Sequence, residues 1–230
     1  MLQVNDFSNS ILSKINFHLK DEENLIILGS NGAGKSTLAK VICGITKSDK
    51  IIICNKQLDS LSSQKRAQLI NYVPPKLDIF DEYLSLMEYL LLSKLHAKLG
   101  IDEVIALLGI EELKDKACKS LSSGEQQLAM LASCILHNAK ITIFDEPTAN
   151  LDPQKTLKVY KILKSNHIQN RIIITHDLNL AHKLGYKILY IKDGKIEFFD
   201  ENEKFFEESN LTRFFGSSIK SIDNYYMVNL

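Results

Sequence analysis

The feature that most limits how this chain can fold is Gly29-Ser30-Asn31-Gly32-Ala33-Gly34-Lys35-Ser36-Thr37. It fits the pattern G-x-x-x-x-G-K-[ST] and follows the apolar run Leu25-Ile26-Ile27-Leu28. After it comes Leu38-Ala39-Lys40-Val41-Ile42-Cys43, which can run as a helix up to Gly44. Strand, glycine loop and helix are the setting in which this pattern cradles phosphates. Glycines let the backbone close around the charge, and successive N–H groups and the helix N-terminus point at it. Lys35 is placed to reach the β- and γ-phosphates, and the Ser36 hydroxyl to ligate Mg²⁺. A bare glycine turn would need neither the Lys-Ser pair nor these flanks. The motif implies a bound nucleoside triphosphate.

The remaining runs supply a sheet for that unit. Ile15 to Leu19 alternates like a half-buried strand, and Ile51 to Cys54 is a short apolar one. Ile141-Thr142-Ile143-Phe144 and Ile172-Ile173-Ile174 are β-branched runs, as expected of strands covered on both faces. Ile188 to Ile191 and Ile196 to Phe198, joined through Asp193-Gly194, read as a hairpin. Asp152 as N-cap and Pro153 in the first turn start a helix, with Leu157, Tyr160 and Leu163 at helical spacing. Strands alternating with helices predict an α/β domain with a mostly parallel sheet. From about Asp81 to Lys119 the runs are helical, Tyr83 to Lys98 and Asp102 to Leu108, with no clear strand. We expect a helical subdomain at about 76–120, inserted in a core of residues 1–75 and 121–230.

Composition excludes several classes. Lys plus Arg equals Asp plus Glu at 28 each, so no overall basic field draws this chain of 230 residues to nucleic acid. Cys43, Cys54, Cys118 and Cys134 form no C-x-x-C pair and suit reduced core residues. The N-terminus lacks the layout of a signal peptide, and no apolar run approaches the ~18 residues of a membrane span.

Two further elements carry chemistry. The run Ile141 to Phe144 delivers Asp145 and Glu146 at its C-terminal end. Asp145 would hold Mg²⁺, directly or through water, and Glu146 would polarise an attacking water as general base. Leu121-Ser122-Ser123-Gly124-Glu125-Gln126-Gln127 contains a capping box, Ser122 with Glu125, ahead of the stripe Leu128, Leu131, Ala132 and Ile135. By itself this describes a well-capped helix. The segment also resembles the L-S-G-G-Q signature of the ATP-binding cassette family, with Ser123 for the first Gly and Glu125 for Gln. The order of phosphate loop, helical insert, signature and strand-Asp-Glu matches that family along essentially the whole chain.

The resemblance implies a P-loop NTPase core, α/β with a mostly parallel sheet, an N-terminal antiparallel β part and the inserted helical subdomain. It implies ATP with Mg²⁺ as the bound species. Residues 29–37, Ser122, Ser123, Gly124, Glu125 and Asp152 would bind nucleotide, and Ser36 and Asp145 the metal. Glu146 and His176 would be catalytic, His176 as the switch histidine within Thr175-His176-Asp177. Ala149-Asn150-Leu151-Asp152 resembles the loop that touches the opposite subunit.

Two positions depart from the pattern. Pro75, in Tyr72-Val73-Pro74-Pro75, stands where the family has a hinge Gln; either Lys76 or a water substitutes, or coupling is looser. The N-terminal segment is short, and Phe7 either stacks on adenine or packs in the core.

The family also implies partners: a second ATPase subunit, most simply another copy, and a dimeric membrane permease. The stretch Leu58 to Pro74 and the ending Asn210 to Gly216, with a short strand near Tyr225 to Val228, resemble the importer branch for iron chelates, haem and cobalamin. That branch adds an external solute-binding protein. The chain would sit peripherally on the cytoplasmic face of the inner membrane. An exporter subunit, a non-transport cassette ATPase and a nucleotide-sensing pseudo-enzyme are the rival readings.

Overall fold

A computed structural model describes residues 1–223 and 225–229. The chain opens with β1 (Leu2–Phe7), β2 (Ile15–Leu19) and β3 (Leu25–Gly29), followed by α1 (Lys35–Ile42). Next come β4 (Ile51–Ile53), β5 (Lys56–Gln57), α2 (Ser63–Leu69) and β6 (Ile70–Val73). Two helices, α3 (Leu86–Ser93) and α4 (Ile101–Leu108), precede the long α5 (Ser123–His137). The chain then alternates β7 (Ile141–Asp145), α6 (Pro153–Lys164), β8 (Asn170–Ile174) and α7 (Leu178–Leu184). It continues with β9 (Lys187–Lys192), β10 (Lys195–Asp200), α8 (Asn202–Phe205) and α9 (Glu208–Phe215), and ends in the hairpin β11 (Ile219–Ile222) and β12 (Tyr225–Val228).

The central sheet has the order β10-β9-β3-β8-β7-β6. Its five strands from β9 to β6 run parallel, and β10 is an antiparallel edge. A second, antiparallel sheet has the order β2-β1-β4-β5. All five residues of β3, β7 and β8 are buried, so their β-branched runs meet apolar partners on both faces. The two-residue period sorts them. Ile26, Leu28, Phe144 and Ile173 face a core built with α5 and α6. Leu25, Ile27, Ile141, Ile143, Ile172 and Ile174 face α1 and the N-terminal sheet. The fold is α/β as expected, with the antiparallel N-terminal part in place.

Several boundaries differ from expectation. The helix expected from Tyr83 to Lys98 covers only Leu86–Ser93. Ser85 and Glu88 form a reciprocal capping box that starts it there, leaving Tyr83 exposed. In α6, Leu157 points to solvent at 52% exposure, and the buried face is Val159, Ile162 and Leu163. β1 was not expected: Asp6 at φ 51° and a register shift between Val4 and Phe7 interrupt its alternation. Phe7 is buried in the N-terminal core, which decides between its two readings in favour of packing. All four cysteines are free, and burial pushes Cys43 and Cys134 up to about 12.

The C-terminal hairpin is tied to α7. Asn179 donates from Nδ2 to the Tyr226 carbonyl at 2.9 Å and accepts from the Tyr226 N–H at 2.8 Å. His182 packs edge-on against Phe206 and Tyr226. Asn179→Ala breaks both hydrogen bonds and strands two partly buried backbone groups, so chemical unfolding should show a loss of about 1–3 kcal/mol. Wild-type stability in that variant would mean that the hairpin is held by its aromatic contacts alone.

Candidate nucleotide-phosphate site

The loop from Gly29 to Gly34 joins the C-terminal end of β3 to α1, where helix N–H groups converge. Gly29 lies so close to the Ile191 carbonyl of β9 that a Cβ there would collide with it. Gly34, the N-cap of α1, has φ 103°, a conformation open to glycine, and Leu12 occupies the space a side chain would need. Lys35 is 7% exposed, and its ammonium donates to the Gly29 carbonyl at 2.8 Å and the Ser30 carbonyl at 2.9 Å. Burial pushes this ammonium below its ordinary range, while the charges of Glu146 and Asp145 act in the opposite direction.

Beside the loop, β7 ends in Asp145, which is 3% exposed. Its Oδ2 accepts a hydrogen bond from the Tyr72 hydroxyl of β6 at 2.8 Å. Burial first, and then Asp145, pushes the Tyr72 phenol upward, so it keeps its proton and donates. Glu146 sits at φ 53°, its N–H donating to the Ile174 carbonyl at 2.9 Å. That backbone turn aims the carboxylate at the end of β8. There Oε1 lies 2.9 Å from His176 Nδ1, and the Thr175 hydroxyl donates weakly to Oε2 at 3.4 Å. His176 is exposed, so this pair holds orientation more than stability.

A cavity of about 340 Å³ is lined by Asn31, Gly32, Gly34, Lys35, Ser36, Thr37, Asp145 and Glu146, with Ile11 and Pro75 on its rim. Of the other loop residues, Gly29 and Ser30 meet Lys35 through their carbonyls, and Ala33 is buried in the core. Ile11, from the β1–β2 loop, was not foreseen from sequence. Lys76 is exposed and does not line the cavity, so it does not replace the missing hinge Gln here.

The signature residues lie elsewhere. Ser122 caps α5 by accepting from the Glu125 N–H at 3.3 Å, and Glu125 returns a bond to the Ser122 N–H at 2.7 Å. Hydrogen bonds from Ser122 hold the Glu125 carboxyl below its ordinary range. Ser122, Glu125 and Asp152 share a second cleft of about 670 Å³ with Lys155 and Lys158. The Lys155 stem covers buried Gly124, while Ser123 is exposed. Asp152 caps α6 through the Lys155 N–H at 2.9 Å and pairs with the Lys155 ammonium at 3.0 Å. A third cleft of about 590 Å³, lined by Asp21, Glu22, Lys140 and Arg171 among others, contains none of the motif residues.

The donor set of the first cavity suits a hard divalent cation. It offers the buried Asp145 and half-buried Glu146 carboxylates and the Ser36 and Thr37 hydroxyls, with no set of three or more His, Cys, Asp or Glu among the described residues able to hold a metal unaided. Mg²⁺ is bound in this manner, by one or two protein oxygens with phosphates and water completing its shell.

These features can be set against known proteins. Residues 12–149, which include the phosphate loop, the signature and the acidic pair, match the family model described as ABC transporter. The chain belongs to the ABC transporter family. An uncharacterised ABC transporter ATP-binding protein of Methanocaldococcus jannaschii is 36% identical over 204 residues, covering 82% of this chain and 79% of that protein. The arginine transport ATP-binding protein of Haemophilus influenzae is 30% identical over 207 residues, covering 82% of this chain and 85% of that one. Some relatives are longer: the chain spans 36% of the length of the Staphylococcus aureus ABC transporter proteins it matches. Among solved structures, cbiO1 of Clostridium perfringens, part of the ABC transporter complex cbiONQ, has a TM-score of 0.75 at 30% identity, with 92% of each chain covered. This chain is therefore an ABC transporter ATP-binding subunit and an ATPase.

Proposed function

We propose that the chain is the motor subunit of an ABC importer, coupling ATP hydrolysis to movement of a solute through a separate permease. The observation that carries this reading is the division of the site. Lys35, Ser36, Asp145 and Glu146 meet in one cavity, while Ser122, Glu125 and Asp152 line another. One chain thus offers a phosphate cradle and, apart from it, a capped helix end whose dipole favours negative charge. Two copies facing head to tail bring the second against the nucleotide held by the first.

In this reading Lys35 and the loop backbone bind the phosphates, and Ser36 and Asp145 hold Mg²⁺, which supplies charge neutralisation at the transferring phosphoryl group. Glu146 accepts a proton from the attacking water, and His176 orients Glu146 through the Nδ1 contact. ATP favours the closed pair because only that state completes the contacts, and hydrolysis releases it.

Residues 76–120 form the inserted helical subdomain, docked on the permease at the cytoplasmic face of the inner membrane. No helix among the described residues is long and apolar enough to cross a membrane. The hinge stretch and the tail resemble the branch importing iron chelates, haem or cobalamin, with an external solute-binding protein. Two relatives at 30% identity whose names indicate a role point elsewhere, to arginine transport and to the cbiONQ complex. The cargo reading rests on those two segments alone.

A complementation assay tests the two-copy site. Lys35→Ala removes the cradle and Ser122→Phe blocks the signature. Each variant alone should be inactive, and an equal mixture should recover about a quarter of wild-type ATPase activity, since half the pairs are mixed and each has one intact site. An inactive mixture would sink the shared-site reading.

A further inference from the structure

We propose that Tyr72, on β6, is the positioning residue that fixes the Asp145 carboxylate for metal binding. The inference rests on reading Asp145 as a metal ligand. β6 and β7 run parallel with Tyr72 opposite Ile143, so Tyr72, Ile143 and Asp145 share the face of the sheet that α1 covers. From this place the phenol reaches along β7 to the carboxylate two residues on, at 2.8 Å. Among the described residues no other side chain hydrogen-bonds to Asp145.

The residues that follow Tyr72 have nothing comparable. Val73, Pro74 and Pro75 carry no polar side-chain group, and neither proline has an N–H. Pro75 lines the cavity and Lys76 turns to solvent. Tyr72 is thus the polar side chain by which the strand leading into residues 76–85 touches the acidic end of β7. A carboxylate with one oxygen held by a phenol presents its other oxygen in a fixed direction. Groups that orient a ligand in this way commonly govern metal affinity by about 10–100-fold.

Tyr72→Phe removes the hydroxyl and keeps the ring. Mn²⁺, a paramagnetic stand-in for Mg²⁺, would be titrated by electron paramagnetic resonance into the full-length protein saturated with a non-hydrolysable ATP analogue. Asp145→Asn serves as the reference. The expected result is a rise of about tenfold or more in the Mn²⁺ dissociation constant of Tyr72→Phe. Affinity for the metal-free analogue should be unchanged, and Asp145→Asn should weaken Mn²⁺ binding at least as much. If Asp145→Asn weakens Mn²⁺ binding and Tyr72→Phe leaves it unchanged or tightens it, the positioning role is wrong and the reading of Asp145 stands. Unaltered Mn²⁺ binding in Asp145→Asn would remove both.

Discussion

Glu146→Gln is expected to lower the ATPase turnover number by about 10²–10⁴-fold while ATP affinity stays near wild type, the range lost when a positioned general base is removed. The structure explains why so much activity can go with so little disturbance. The backbone of Glu146 is held by its N–H bond to the Ile174 carbonyl, which a glutamine retains. The side-chain amide can still meet the Thr175 hydroxyl and His176, now as a neutral group. Neither Lys35 nor Asp145 uses Glu146 as a hydrogen-bond partner, so the phosphate side of the cavity keeps its shape. What disappears is the carboxylate that can take a proton from water. ATP would then hold two copies together without being consumed, and a closed dimer should accumulate on gel filtration with ATP and Mg²⁺. A variant that stays monomeric under those conditions, or keeps more than about a tenth of its turnover, contradicts the assignment of Glu146 as base.

The parts of this site that could be read from sequence are those set by local geometry. The loop from Gly29 to Thr37 lies between a strand and a helix in the chain itself, so its shape follows from its neighbours. Asp145 and Glu146 are adjacent, and a strand end alone places them. The capping box of Ser122 and Glu125 is likewise a four-residue event. Tyr72 was out of reach for the opposite reason. Its partner lies 73 residues away, and only the parallel pairing of β6 with β7 brings them together. Ile11 reaches the cavity rim through the loop between β1 and β2, and β1 itself was masked by the irregularity at Asp6. The bounds of α3 depended on which residue capped it, and several residues from Phe80 to Ser85 could have begun a helix on periodicity alone. The separation of Ser122 from Lys35 into different cavities needed the three-dimensional arrangement, because order along the chain does not determine distance.

Lys35→Ala should show the largest loss in binding. Lys35 is 7% exposed and its ammonium is bonded to two loop carbonyls, a compact arrangement that ties the loop back on itself. Burial already disfavours the charged form. A phosphate oxygen is a far better partner for that charge than a carbonyl, so nucleotide binding recovers what desolvation cost. Truncation removes this gain and leaves the phosphates facing Asp145 and Glu146 without a side-chain cation to offset the repulsion. Breaking a buried, hydrogen-bonded charge contact of this kind costs about 2–5 kcal/mol, or roughly thirtyfold to several thousandfold in affinity. Titration with a fluorescent ATP analogue would measure it directly. Nucleotide affinity within about threefold of wild type would mean that the loop backbone, and not Lys35, holds the phosphates.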